Sequence, residues 1–327
     1  MKRVIKLIVI LILVTSIVSC AQNSTIMKYG NTSLSERMYN YWFLQYKAYF
    51  FNSMSADGIA AYEDYLMEII DLSIKKNLIC IDLFDANKLK IPKDVLDSID
   101  EEINELIASY GSRSELNKYL GQYGINDKIY KESLIIQEKI AVLYQYLYGN
   151  GGMLQLTNDE IENYYKEHYT RVKYVLLVLF DVDEMGNQIE YDDEQISEVR
   201  KTADLIENEL KNGADIDGLI AEYSYDDMND YKNGVYISTN DFGKHTVINE
   251  ALDMEIGEIK IIDLKDEYAI YIVKKLELET KPYLNDSSGQ FDTLIDYCAD
   301  DSFQTLLNQL ADDVTVVDSI KDKYTLR

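Results

Sequence analysis

The sequence predicts an α+β protein in which a multi-helix domain carries an inserted, smaller α+β domain. Apolar residues recur at helical spacing over most of residues 34–148. After Val172 the pattern changes to runs rich in β-branched residues, which is typical of strands. Gly149-Asn150-Gly151-Gly152, the clearest break in the chain, lies between the two patterns. With 327 residues, of which 47% are hydrophobic, the chain can bury a core in two or three domains.

The N-terminus carries the pattern of a secretory signal. Lys2, Arg3 and Lys6 are followed by the apolar stretch 7–14, and small residues then lead to Cys20. A Cys at this position resembles the lipobox of bacterial lipoproteins, in which it is acylated and becomes the mature N-terminus. This resemblance implies lipid attachment at Cys20.

Lipidation would place the chain on the outer side of a membrane. Stable anchoring takes two lipid signals, because each buried CH₂ contributes only about 0.8 kcal/mol, and a diacylated Cys20 meets that condition. We therefore predict a lipoprotein signal peptide over 1–19, a tether over 20–29 and a protein on the extracytoplasmic face of the cell membrane. An uncleaved membrane anchor is the alternative, but its apolar run, 4–18, is shorter than the roughly 20 residues of a spanning helix.

Charge and cysteine content limit the classes of partner. The net charge of -26 excludes nucleic acid, whose phosphates require a basic face, and also repels anionic lipid. Cys80 and Cys298 are too few for a disulfide framework. We expect buried thiols, and a bridge between the two remains the alternative.

The helical domain is predicted over 30–168. Ser33 is a plausible N-cap, with Glu36 as its capping-box partner, for a helix over 34–51 that is rich in aromatic residues. Those aromatic side chains either pack the core or form a surface that holds unfolded polypeptides. Further helices are expected over 58–78, 92–110, 112–123, 126–148 and, after a Thr157–Glu160 capping box, to about His168.

The second domain is predicted over 170–279. Its expected elements are a strand over 172–180, helices over 194–212 and 216–223, a strand over 234–238, a helical turn over 246–254 and a hairpin over 258–264 and 268–276. This order indicates helices packed on an antiparallel or mixed sheet. A helix over 290–310 and a terminal strand over 314–317 complete the chain.

The order of these segments resembles the extracytoplasmic foldases of the PrsA and SurA type. The resemblance rests on the lipoprotein signal, the turn with Gly30-Asn31-Thr32, the multi-helix segment and the capped helix Glu160-Ile161-Glu162-Asn163-Tyr164-Tyr165-Lys166. It implies that 30–168 forms a chaperone domain like the N-terminal domain of SurA. It also implies that 280–327 returns to this domain as a helix and a strand, with 170–279 inserted.

The inserted segment resembles a parvulin-type peptidyl-prolyl isomerase domain. The matching segments are Leu210–Ile216, Leu219–Asp226, Ala251–Ile259 and Ile272–Lys274. In parvulins the polar cluster usually contains two histidines on neighbouring strands and a Cys, Asp or Ser. The corresponding positions here are Tyr174, Tyr271 and Asp226, which the resemblance implies as catalytic residues of a degenerate site. The phenylalanine and methionine of the proline pocket match Val247 and a position near Gly243.

The predicted function is a membrane-anchored extracytoplasmic chaperone or foldase for secreted proteins, with prolyl isomerase activity weak or lost. One alternative is an active isomerase with a non-standard site, and another is a surface lipoprotein that acts as a binding or scaffolding module. The expected partners are unfolded secreted polypeptides and the membrane, through lipidated Cys20; a homodimer is left open.

No cofactor is predicted. His168, expected at a helix end, and His245, expected in a loop, lack Cys or His neighbours at metal spacing. The acidic runs at 181–193 and 226–227 lack the glycine and spacing of an EF-hand loop. Solvated surface is the preferred interpretation of these runs, with weak calcium binding as the alternative.

Overall fold

A computed structural model describes residues 24–226, 228 and 231–326, which fall into two compact units. The helical unit comprises 24–155 and 300–326, and the sheet unit comprises 156–299. The predicted signal peptide and Cys20 lie outside the described residues. The sequence-based domain limits, at 168/170 and at 279/280, differ from the limits of these two units and stay predictions. The predicted α+β fold class is confirmed by the mixture of helices and antiparallel strands.

Elements are numbered in chain order through both units. Those of the helical unit are β1 Thr25–Tyr29, β2 Thr32–Ser35, α1 Glu36–Ser53, α2 Ala56–Ala61, α3 Glu63–Ala86, α4 Lys93–Ser109, α5 Arg113–Leu120, α6 Asp127–Tyr148, the later turns of α11 Leu294–Ala311, β9 Thr315–Val316 and α12 Asp318–Lys321. Its main core lies between α1, α3 and α6 and reaches the small sheet.

The small sheet corrects the predicted tether over 20–29. Strand β1 pairs with β2 and with β9 in the order β2-β1-β9, and its Ile26 and Met27 are fully buried. Pairing with β9 stabilises this strand, and no pattern within 20–29 reveals a partner near residue 315. The predicted N-cap at Ser33 is also wrong, because Ser33 pairs within β2. The observed cap is Ser35, whose Oγ accepts the Met38 N–H at 3.3 Å.

The turn with Gly30-Asn31-Thr32 is fastened to α3 by one carboxylate. Asp82 Oδ1 accepts the Asn31 N–H and the Thr32 hydroxyl, each at 2.9 Å. Gly30 has φ +51°, and a Cβ at this position would lie 2.5 Å from Asp82 Oδ2. The turn therefore requires glycine both for its conformation and for the close approach of the carboxylate.

The elements of the sheet unit are α7 Asn158–His168, β3 Tyr169–Val178, β4 Phe180–Val182, β5 Gln188–Glu190, α8 Asp193–Lys211, α9 Ile216–Tyr223, β6 Val235–Ser238, α10 Thr246–Asp253, β7 Ile259–Leu264, β8 Ala269–Leu276 and the first turns of α11. The main order is the predicted one. The acidic loop additionally forms the short hairpin of β4 and β5.

The four-stranded sheet is antiparallel with the order β6-β3-β8-β7. Because side chains alternate between the faces of a strand, each face has its own core. Val175 and Ile272 lie in the cluster with α8 and α9, whereas Val172 and Val273 pack with Val247 of α10. A third cluster, with Tyr164, Tyr165, Tyr169, Tyr236 and Phe291, joins α7 to the sheet and to the start of α11.

Candidate functional site

The two tyrosines predicted at the site lie together on the α10 face of the sheet. In the register of β3 and β8, Tyr174 is opposite Val273 and Leu176 is opposite Tyr271. Tyr174 and Tyr271 are therefore diagonal neighbours on adjacent strands. Their ring centroids are 5.4 Å apart with an interplanar angle of 66°, which is the favoured edge-to-face arrangement.

Asp226 completes the predicted group through a direct hydrogen bond. The Tyr174 hydroxyl donates to Asp226 Oδ2 at 2.8 Å. Asp226 Oδ1 accepts the Met228 N–H at 2.9 Å, and Met228 is buried with φ 50°. Both carboxylate oxygens are thus engaged, which orients the carboxylate toward the sheet.

The segment before Asp226 is attached to the edge of β3. Ser224 Oγ accepts the Leu176 N–H at 3.0 Å, and the Tyr225 N–H donates to the Leu176 carbonyl at 2.8 Å. This pairing explains why a carboxylate 52 residues from Tyr174 in sequence reaches its hydroxyl. The structure therefore brings all three predicted residues together, and their catalytic role stays a prediction.

Two further polar residues, which sequence reasoning missed, adjoin the group. His245 lies beside Tyr271 with ring centroids 6.5 Å apart, and His245 Nε2 lies 2.8 Å from Glu267 Oε2. His245 is also the N-cap of α10, since its Nδ1 accepts the Val247 N–H at 3.2 Å. Histidine is not among the preferred N-cap residues, so the sequence offered no signal for this position.

Burial and charge keep both phenols of the site neutral. Burial raises the pKa of Tyr174, and its hydrogen bond to Asp226 raises it further. Burial also raises the pKa of Tyr271, with smaller contributions from the charges of Glu267 and Asp226. Both side chains therefore carry an O–H group at physiological pH.

The two hydroxyls differ in availability. The Tyr174 hydroxyl is occupied by Asp226, whereas the Tyr271 hydroxyl has no hydrogen-bond partner among the residues that the structure describes. Rotation about a peptide bond faces a barrier of about 18–20 kcal/mol, and for an X-Pro bond it takes tens to hundreds of seconds unaided. A catalyst must stabilise the twisted amide better than the planar one. A neutral O–H donor above an apolar floor of Val247, Ala251 and Val273 can contribute such stabilisation.

Other chemistry finds little support in the described parts of the chain. Within residues 24–226, 228 and 231–326, no three His, Cys, Asp or Glu side chains form a group that could hold a metal ion. Cys80 and Cys298 are both buried, and neither forms a disulfide. Burial raises the pKa of the Cys80 thiol to about 12, so that it stays protonated and weakly reactive.

None of the helices in the described part of the chain combines the length and the apolar character needed to cross a membrane.

A second feature of interest is an exposed aromatic surface on the helical unit. We define the aromatic end as Tyr49, Phe51, Tyr62 and Tyr65, whose side chains are 64%, 39%, 59% and 62% exposed. These residues lie at the end of α1 and around the start of α3, which are joined by α2 and contact each other.

The aromatic stretch of α1 divides between the core and the surface. Trp42, Phe43 and Phe50 are buried in the core, whereas Tyr49 and Phe51 face solvent. Helical periodicity predicts the helix, but it does not show which side chains the neighbouring helices cover.

Comparison with known proteins gave matches among solved structures. No family model matches the chain, and no curated protein matches it. PrsA from Bacillus subtilis is 20% identical, with 73% of this chain and 81% of that chain covered and a TM-score of 0.27. The peptidylprolyl isomerase PrsA from Bacillus anthracis is 18% identical, with 71% and 93% covered and a TM-score of 0.27.

The foldase protein PrsA from Streptococcus pneumoniae is 14% identical, with 91% of this chain and 97% of that chain covered and a TM-score of 0.25. The chain is therefore similar to solved PrsA structures, the family that its segment order resembles. At these identities and TM-scores the likeness supports no conclusion about activity, so a functional assignment depends on the residues of this chain.

Proposed function

We propose that this protein is a membrane-anchored extracytoplasmic foldase that holds unfolded secreted polypeptides through the aromatic end of its helical unit. The observation that carries the proposal is the exposure of Tyr49, Phe51, Tyr62 and Tyr65. Single exposed apolar side chains are ordinary, but a group of large ones at one end of a unit is typical of an interaction surface.

Tyrosine suits the transient capture of many different sequences. Its ring offers a large apolar contact, its hydroxyl tolerates water, and only two side-chain torsions are immobilised on binding. A surface of separate aromatic side chains therefore favours weak contacts with exposed apolar segments over one specific partner.

Acidic residues surround this surface and favour basic clients. Asp57, Glu63, Asp64 and Glu68 lie on α2 and the first turns of α3, and the whole chain carries a net charge of -26. Such a field attracts segments that contain Lys or Arg and weakens as salt is added. We infer that the preferred clients combine apolar and basic residues.

Lipidation at Cys20 would hold the helical unit close to the membrane. Strand β1 begins at Thr25, so four residues separate it from Cys20. Five residue steps span at most about 18 Å. A short attachment of this kind raises the effective concentration of the binding surface where secreted chains emerge.

The holding function can be tested by aggregation of an unfolded client followed by light scattering. We expect the protein to suppress aggregation at equimolar ratio, and the variant Tyr62→Ser, Tyr65→Ser to require at least fivefold more protein for the same suppression. Met185→Ser is the matched control, because Met185 is 85% exposed but lies in the sheet unit. Absence of suppression by the parent protein, or equal suppression by the double variant, would contradict the proposal.

Anchoring has a separate test in cells. Cys20→Ala is expected to move the protein from the membrane fraction to the soluble exported fraction and to leave client binding in solution unchanged. Retention in the membrane fraction would instead favour an uncleaved anchor.

Prolyl isomerisation is a second candidate function, favoured by the contact of Tyr174, Asp226 and Tyr271 on one face of the sheet. We expect only a weak acceleration of proline-limited refolding, because Asp226 occupies the Tyr174 hydroxyl and leaves the Tyr271 hydroxyl as the donor among the three described residues. Tyr271→Phe should remove that acceleration and leave aggregation suppression intact. A protein that neither accelerates refolding nor suppresses aggregation would instead be a binding or scaffolding lipoprotein.

A further inference from the structure

His245 lies where three structural elements meet. It caps α10 by accepting the Val247 N–H on Nδ1 at 3.2 Å, and its Nε2 lies 2.8 Å from Glu267 in the turn between β7 and β8. Its ring also stands edge-on to Tyr271 of β8. One imidazole therefore connects the start of α10 to the strand that carries Tyr271.

The hydrogen bonds define the protonation state that this geometry requires. A backbone N–H can only donate, so Nδ1 of His245 must be unprotonated to accept from Val247. The single ring proton then lies on Nε2 and is donated to Glu267 Oε2. The contact pattern therefore requires the neutral imidazole.

The C-terminal end of α10 is held by Lys275, a side chain that donates hydrogen bonds in its charged form. Lys275 Nζ donates to the carbonyls of Leu252 and Met254, at 3.1 and 2.5 Å, at the C-terminus of the helix. Lys275 belongs to β8, as Tyr271 does. Strand β8 thus secures the C-terminal end of α10 through Lys275, while the N-terminal end is bonded to the turn before β8 through His245.

We propose that His245 is a positioning residue. Its neutral form fixes the first turn of α10, and with it Val247, beside the cluster of Tyr174 and Tyr271. Its protonation releases that turn. The consequence for peptide handling rests on the proposed isomerase site, whereas the positioning itself rests on the contacts alone. Histidine is the side chain that ordinarily changes charge between pH 5 and 8. The cluster would then keep one geometry at neutral pH and loosen in acid.

Protonation of the imidazole breaks one of its two hydrogen bonds and keeps the other. Nε2–H donates to Glu267 in both forms, so the imidazole stays attached to the turn. Nδ1–H can no longer accept from Val247, and a positive charge is unfavourable at a helix N-terminus. The first turn of α10 therefore loses its cap while the ring stays in place.

Several charged or titratable groups face the imidazole from the elements around it. Glu267 faces it from the turn, and Tyr271, which stays neutral, faces it from β8. Lys244 precedes it in the chain but is paired with Asp241 at 2.5 Å. Glu267 is thus the charged group bonded to the ring.

The test uses the full chain and two readouts that need neither client nor isomerase activity. The chain has two histidines, so imidazole NMR signals can be assigned with His168→Asn. We expect the hydrogen-exchange protection of the Val247 amide to fall about fivefold between pH 7.5 and pH 5, after correction for intrinsic exchange, the factor expected for loss of a typical N-cap. The fall should follow the titration of His245.

Two variants make the proposal falsifiable. His245→Asn supplies a strong N-cap that does not titrate, so Val247 should stay protected at both pH values. Glu267→Gln removes the charge but keeps an oxygen that can accept from Nε2–H, so Val247 should stay protected at pH 7.5. The proposal is overturned if parent protection does not change with pH, if His245→Asn retains the full pH dependence, or if Glu267→Gln removes the protection of Val247 at pH 7.5. If the protein has no isomerase activity but the protection of the Val247 amide still depends on pH, only the proposed isomerase function is refuted.

Discussion

Two pairs of tyrosines, one pair in each unit, are placed in opposite ways. In the helical unit Tyr62 and Tyr65 expose about three fifths of their side chains at the aromatic end. In the sheet unit Tyr174 and Tyr236 are half-buried or buried, and their hydroxyls donate to Asp226 and Glu279 at 2.8 and 2.9 Å. The first pair is thus exposed to solvent and the second pair is bonded internally, so mutation can test the two placements separately.

The largest expected difference is in the free energy of unfolding when one tyrosine hydroxyl is removed from each unit. Tyr236→Phe deletes a part-buried hydrogen bond to a carboxylate and should lower the free energy of unfolding of the sheet unit by about 2 kcal/mol. Tyr62→Phe should change that of the helical unit by less than about 0.5 kcal/mol, because Tyr62 is exposed.

Urea unfolding can assign each effect to its unit. Trp42, the single tryptophan of the chain, is buried in the helical unit, so its fluorescence reports that unit, while circular dichroism reports both. Tyr236→Phe should shift the dichroism transition and leave the Trp42 transition in place. Equal shifts for Tyr236→Phe and Tyr62→Phe would remove the distinction between bonded and exposed tyrosines.

Alkaline pH should reduce the stabilisation that the bonded tyrosines provide. Burial and the charge of Glu279 raise the pKa of Tyr236 to about 12, from an ordinary value near 10. A raised pKa means that the fold favours the protonated form, so this stabilisation is complete below about pH 10 and is lost as pH rises toward 12. The urea midpoint of the parent protein should fall across that window.

Tyr236→Phe is the control for this pH effect. Without the phenol, the decline of the dichroism midpoint between pH 10 and 12 should be shallower than in the parent. An identical decline would show that other groups determine alkaline stability.

The smallest expected effect concerns salt. If acidic residues near the aromatic end favour basic clients, raising the salt concentration from about 0.05 to 0.3 M should weaken binding of a Lys-containing unfolded peptide by about two- to threefold. A peptide of equal apolar content without basic residues should bind equally at both concentrations. Fluorescence anisotropy of labelled peptides measures both, and equal salt dependence for the two peptides would contradict a charge preference.

Local sequence signals predicted most elements of the sheet unit. Helix α9 and the hairpin of β7 and β8 occur within one residue of their expected limits, because their periodicity and bounding glycines are local. Strand β1 escaped prediction because one of its two neighbouring strands is β9, nearly 300 residues away. Contacts of that separation leave no trace in a local pattern.

The candidate site shows the same division. The resemblance to parvulins places Tyr174, Asp226 and Tyr271 together. The strand register brings the two tyrosines into contact, and the attachment of Ser224 and Tyr225 to Leu176 brings Asp226 to Tyr174. His245 and Glu267 were missed, because their pairing depends on how the loop before α10 meets the turn before β8. The exposure of Tyr62 and Tyr65 likewise depends on packing between helices, which residue spacing alone does not define.

Photo-crosslinking tests the central claim most directly. A photoreactive phenylalanine analogue is placed at Tyr65 or, as the control, at Met185 in the sheet unit, and each protein is irradiated with an unfolded, aggregation-prone client. We predict client adducts from position 65 at several times the yield from position 185, and competition by unlabelled unfolded client but not by the same client folded. Equal yields from the two positions, or adducts with the folded client, would contradict a client-holding role for the aromatic end.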